Sequence, residues 1–94
     1  VKKHVVCFEK VCHLFKHKIP VNIVEKLYHW ACRVEMIGLY ETRKIKSFND
    51  EPLSGKRFGQ RSIRLNKAYR AFYKIHQKED LIIVDVIEVN HHEY

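Results

Sequence analysis

The chain has 94 residues, 46% of them apolar and 31% charged, which suits one small domain spanning residues 1–94 and is too short for two. Its longest apolar stretches, such as 81–84, fall far short of the roughly 20 residues of a membrane helix, and no apolar leader with a cleavage site opens it, so a cytoplasmic protein with no membrane partner is expected. A formal net charge of +7 asks for an anionic partner: nucleic acid, acidic protein or anionic lipid.

In chain order, segment 4–8 predicts a short first strand and 9–18 a short helix with Val11, Leu14 and Phe15 on one side. From Pro20 the apolar residues Ile23, Val24, Leu27, Tyr28, Ala31, Val34 and Ile37 recur close to helical period, with Glu25, Lys26, His29 and Arg33 on other faces. Pro20 suits a first helical turn and Gly38 an exit, so the helix runs over roughly 20–37. Residues 39–59 lack periodicity and contain Asn49, Asp50, Pro52, Gly55 and Gly59. They read as a long loop, a length usually tied to function or disorder. Strands over 61–65, 69–75 and 81–89 follow, joined by short polar connections at 66–68 and 76–80, as an antiparallel meander. The last run is polar only at Asp85 and Glu88, the pattern of an interior strand covered on both faces. Cys7, Cys12 and Cys32 are odd in number and lack CxxC spacing, so buried free thiols are expected rather than disulfides or a zinc site.

Positive charge is concentrated late in the chain. Lys56, Arg57, Arg61, Arg64, Lys67, Arg70, Lys74 and Lys78 are interrupted by no Asp or Glu. If 66–68 is a three-residue connection, Leu65 faces Tyr69 and Arg64 lies opposite Arg70 on one face, flanked by Ser62, Phe72 and Lys74. Like charges across a strand pair are destabilising, so a phosphate or carboxylate between the two guanidiniums would account for them. The plainer alternative is that they are solvated or paired with Glu25 or Glu35 of the helix.

Two further groups carry chemistry. The chain closes on Asn90, His91, His92, Glu93 and Tyr94. Imidazoles transfer protons near neutral pH, whereas adjacent histidines on a strand point to opposite faces and cannot easily chelate one metal ion. The alternatives are a fraying tail, a part in a metal site with His76 and, for Tyr94, an aromatic that closes the core. Just before the basic stretch stands Glu51, fixed as extended by Pro52. It can serve as a base, or Asp50 and Glu51 can be turn polarity alone.

The run from Glu51-Pro52-Leu53 through Ser62-Ile63-Arg64-Leu65 to Tyr69-Arg70, with the closing Ile87-Glu88-Val89-Asn90-His91-His92-Glu93-Tyr94, resembles the RelE superfamily of toxins, especially its HigB branch. The resemblance spans residues 51–94, and the first half fits in layout. It implies an α+β fold with N-terminal helices on a small, mainly antiparallel sheet, like microbial RNase T1. The implied activity is metal-independent, cofactor-free, ribosome-dependent cleavage of translated mRNA, silenced by a cognate antitoxin protein with a DNA-binding domain. Under it Arg70 stabilises the transition-state phosphate beside Arg64. Glu51 matches the base proposed in the YoeB branch; the histidine to which HigB-like members assign that role is lacking here. His92 matches the proposed general acid and Tyr94 a terminal tyrosine of the YoeB branch, while Lys56, Arg57, Arg61, Lys67, Lys74 and His91 are the expected RNA contacts. Two rivals stay open on the residues alone: a non-catalytic module that blocks translation by occupying RNA or ribosome, and a basic groove that receives an acidic protein segment.

Overall fold

The computed structural model describes residues 2–91. Five strands form one sheet: β1 (Lys3–Cys7), β2 (Glu51–Pro52), β3 (Arg61–Arg64), β4 (Tyr69–Lys78) and β5 (Leu81–His91), in the order β1-β5-β4-β3-β2. β1 runs parallel to β5 and every other pairing is antiparallel, so β3, β4 and β5 are the expected meander. The register follows from Asn66, whose Oδ1 accepts from the N–H groups of Ala68 (2.7 Å) and Tyr69 (2.8 Å). This local turn aligns Leu65 N–H with the Tyr69 carbonyl at 2.9 Å.

Helix α1 (Val21–Ile37) begins after Pro20 and ends at Gly38, as its period predicts. It buries Ile23, Leu27, Trp30, Ala31 and Val34 in one core with Ile63, Ala71, Tyr73, Val84, Val86 and Val89. Trp30 lies against Tyr73 with ring centroids 5.2 Å apart. Gly38 does not end the helical region but turns it. Its φ of +85° directs the chain into α2 (Leu39–Arg43), and a Cβ there would both strain the backbone and meet the His4 ring at 3.4 Å.

Three expectations are corrected. Segment 9–18 is a series of turns with one short 3₁₀ stretch, Cys12–Leu14. It must carry the chain from the sheet edge to the start of α1 while Phe15 meets Phe8 and Tyr28 edge-on. Residues 39–59 are not one loop, since they hold α2, β2 and 3₁₀ turns at Lys46–Phe48 and Gly55–Arg57. Cys12 and Cys32 are exposed and Cys7 is half-buried, all three free. β5 is interior to the sheet as expected, but its second face carries Asp85 and Glu88 beneath the side chains of Lys10 and Arg57. No helix among the described residues is long and apolar enough to cross a membrane.

Candidate active site

Residues opposite one another on paired strands share a face of the sheet, and successive residues alternate. On β4, Ala71 and Tyr73 are buried beneath α1, which leaves Arg70, Phe72, Lys74 and His76 on the opposite, open face. The register adds Arg64, opposite Arg70, and Ser62, opposite Phe72. Glu51 joins through its pairing with Ser62, and Asn90, Glu88 and Asp85 through theirs with Arg70, Phe72 and Lys74.

The two arginines therefore stand side by side as the turn length implied. Their repulsion is met by one carboxylate, and it is not a helix residue: Arg70 Nη2 donates to Glu51 Oε1 at 2.9 Å and to Ser62 Oγ at 2.7 Å. Ser62 is fully buried and holds the guanidinium from below, while Glu51 is half exposed above it. Pro52, with no N–H to offer, is tolerated because β2 is the sheet edge. Among the described residues Arg64 has no ion-pair partner, so one carboxylate faces two cations. The result is an anion-attracting face with a proton acceptor on it.

Next to the pair, Arg57 arches over the sheet. Its guanidinium lies 4.2 Å from the centroid of Phe72, and its nitrogens donate to Glu88 Oε1 at 2.7 Å and Gln60 Oε1 at 2.9 Å. Asn90 also donates to Glu88. Further along, Lys10 Nζ donates to Asp85 Oδ2 at 2.7 Å. That bond holds the lysine above its usual pKa, with burial opposing and the Asp85 charge adding. Lys56 and Lys67 are exposed on the turns that flank β3.

Two expected RNA contacts lie elsewhere. Arg61 is opposite Tyr73, on the α1 side, because strand alternation separates it from Arg64 by an odd step. Its Nε donates to Asp50 Oδ1 at 2.6 Å, and Tyr73 OH donates to the other oxygen at 2.5 Å. The Asp50 side chain is 1% exposed, so Arg61 neutralises a buried carboxylate rather than facing solvent. Burial works against the Arg61 charge, and the bond and charge of Asp50 more than offset it. Tyr73 is pushed well above the usual phenol pKa, first by burial and then by Asp50. His91 is likewise opposite Tyr69, its ring edge-on at 5.0 Å, away from the arginine pair. His92 and Tyr94 lie outside the described residues. Residue type and charge alone missed the positions of Arg57 over Phe72 and Lys10 at Asp85; strict alternation along β5 separates Asp85 from Glu88, and the register shift at Phe72–Tyr73 is what brings both to the open face.

Compared by sequence, the chain matches no family model and no curated protein. Its fold does match solved structures. A YoeB/ParE toxin from Agrobacterium tumefaciens superposes with a TM-score of 0.67 at 21% identity over 97% of this chain and 99% of that one. A mutant of YafQ from E. coli gives 0.61 at 17% over 97% and 93%. The RelBE toxin–antitoxin complex from Mycobacterium tuberculosis gives 0.57 at 18% over 96% of each chain. At these identities the likeness is one of fold, and over nearly its whole length the chain has the α+β fold of the RelE-type toxins.

Proposed function

We propose that the chain is the toxin of a type II toxin–antitoxin pair and a ribosome-dependent endoribonuclease that cuts translated mRNA. The observation that carries this reading is the open-face placement of Arg70, held between Glu51 and Ser62 directly opposite Arg64. RNA brings its own nucleophile, so three tasks remain: accepting the 2′-hydroxyl proton, neutralising the phosphate and protonating the leaving oxygen.

Glu51 is the base in this reading. An incoming phosphate competes for Arg70 and frees the Glu51 carboxylate beside the 2′-hydroxyl, whose proton it takes as the oxygen attacks phosphorus. Arg70 and Arg64 stabilise the charge that builds on the phosphate oxygens, and in such a reaction this stabilisation lowers the barrier more than proton transfer does. The departing 5′-oxygen receives its proton from His92, with Tyr94 the other candidate by resemblance. The products carry a cyclic phosphate on one side and a 5′-hydroxyl on the other, with no cofactor called upon. Lys74, Lys56, Lys67 and Arg57 guide the strand, Arg57 by exchanging Glu88 for phosphate. Its partners are then mRNA on the ribosome and a cognate antitoxin protein, as in the RelBE complex, in the cytoplasm.

The test is inducible expression in bacteria with mapping of RNA 5′ ends, beside Arg70→Ala and His92→Ala. New 5′-hydroxyl ends within translated messages, lost in both variants, support the reading. Growth arrest without new ends would replace it with a translation-blocking module.

A further inference from the structure

On the α1 side of the sheet, the side opposite the face that carries the arginine pair, α1 and the Lys46–Phe48 turn enclose a groove of about 530 Å³ lined by Lys26, His29, Cys32, Arg33, Met36 and Phe48, among others. His29, Cys32 and Met36 are spaced three and four residues apart, which puts them along one side of a helix. Cys32 is exposed and Met36 is 73% exposed, an unusual position for the chain's single methionine. The Cys32 thiol nevertheless meets the Met36 sulfur, with Sγ and Sδ 3.7 Å apart. Two sulfurs bound to one ion at about 2.3 Å each, with an angle near tetrahedral, lie about 3.7–3.8 Å apart, so the pair already has the spacing of two ligands on a shared ion.

We propose that His29, Cys32 and Met36 form a binding site for a soft monovalent metal ion, copper(I), which neither the ribonuclease reading nor the expectation of metal-free chemistry includes. Ligand type makes the first selection: thioether and thiolate favour copper(I) over harder ions. Ligand number makes the second. No group of three His, Cys, Asp or Glu among the described residues is placed to hold a metal, so a fourth protein ligand of the kind that structural zinc requires is missing, whereas copper(I) is satisfied by three. Charge makes the third. One thiolate with a neutral thioether and imidazole carries −1, which copper(I) brings to zero. A divalent ion would leave a positive charge beside Lys26 and Arg33, which line the same groove. Binding replaces the S–H bond of Cys32 by a metal–sulfur bond and releases its proton to solvent, with no change in oxidation state.

The site is tested on the full chain under reducing, anaerobic conditions by transfer of copper(I) from its bicinchoninate complex, followed by the 13C-methyl signal of methionine, assigned with Met36→Leu. The expected result is uptake of one copper(I) per chain with a Met36 methyl shift that saturates at that equivalent. In Cys32→Ser the shift disappears and uptake weakens at least tenfold, whereas Cys12→Ser leaves both intact. Zinc(II) at the same concentration leaves the methyl signal in place. A Met36 signal that does not move while copper binds, or uptake lost in Cys12→Ser rather than Cys32→Ser, overturns the site. Circular dichroism of each variant separates loss of binding from loss of fold.

Discussion

Arg70→Ala removes a side chain that is 21% exposed and holds two partners, Glu51 and Ser62. For stability the effects are small and of opposite sign. The ion pair with half-exposed Glu51 contributes about 0–1 kcal/mol, and relief of the Arg64 repulsion returns about 0.2–1 kcal/mol. The buried Ser62 hydroxyl loses its partner at a cost of about 1–3 kcal/mol, at the low end if water enters the vacated volume. The net is a loss of about 1 kcal/mol, a fall in Tm of about 4–8 °C for a domain of this size. For catalysis there is no such cancellation. A donor aimed at developing phosphate charge is worth about 10²–10³ in rate, or about 3–4 kcal/mol. Thermal melting and single-turnover cleavage of mRNA in a purified translation system, measured on the same preparation, should therefore diverge: a folded protein with cleavage lost. A variant that melts as expected and cleaves at an undiminished rate would refute the placement of the site.

Glu51→Gln keeps the shape and one acceptor for Arg70, so melting should hardly change while cleavage falls by about 10²–10⁴ and loses the pH dependence that reports on the base. Arg61→Ala should do the reverse in kind: it strands the Asp50 carboxylate, 1% exposed, and costs about 3–5 kcal/mol, read as a lower urea midpoint. Any residual folded population should still cleave. Tyr73 has a folded-state pKa raised above its unfolded value of about 10. The unfolded chain therefore loses that proton first, and the Tyr73 contribution is complete below about pH 10 and declines as pH rises beyond it. Urea midpoints at about pH 9 and about pH 11 should show a steeper loss for the parent chain than for Tyr73→Phe.

Helix α1 and the meander were legible because burying one face imposes a period, and because Asn66 fixes a short turn that puts Arg64 opposite Arg70. What was not legible has physical causes of two kinds. Short elements carry too few turns for a period to declare itself, so Leu39–Arg43 read as loop, and apolar residues at 11, 14 and 15 read as a helix although turns bury them equally well. Composition also hides parity. Arg61 and Arg64 look alike in a basic stretch, but three residues apart on one strand they face opposite ways, one to buried Asp50 and the other to solvent. The tendency of cysteine to be buried failed at Cys32 because it lies off the apolar stripe of α1, whose buried neighbours are Trp30, Ala31 and Val34.

The same parity explains how a chain of net charge +7 can hold a concentrated cationic face without losing its sheet. Three cations that cross the open face are tied down: Arg57 to Glu88, Lys10 to Asp85, Arg70 to Glu51. These pairs lower the local field at the strands and leave Arg64 and Lys74 as the charges of the open face without an ion-pair partner among the described residues. They are also exchangeable, because each carboxylate partner of an arginine is at least one-third exposed and exposed pairs contribute little. Asp50 is the exception, buried and fixed by Arg61 and Tyr73, and it stands directly before Glu51 in the chain. A rigid anchor at position 50 and a loosely held carboxylate at 51 set Glu51 beside Arg70, as the proposed role of base requires, yet leave it free to give that arginine up to a phosphate.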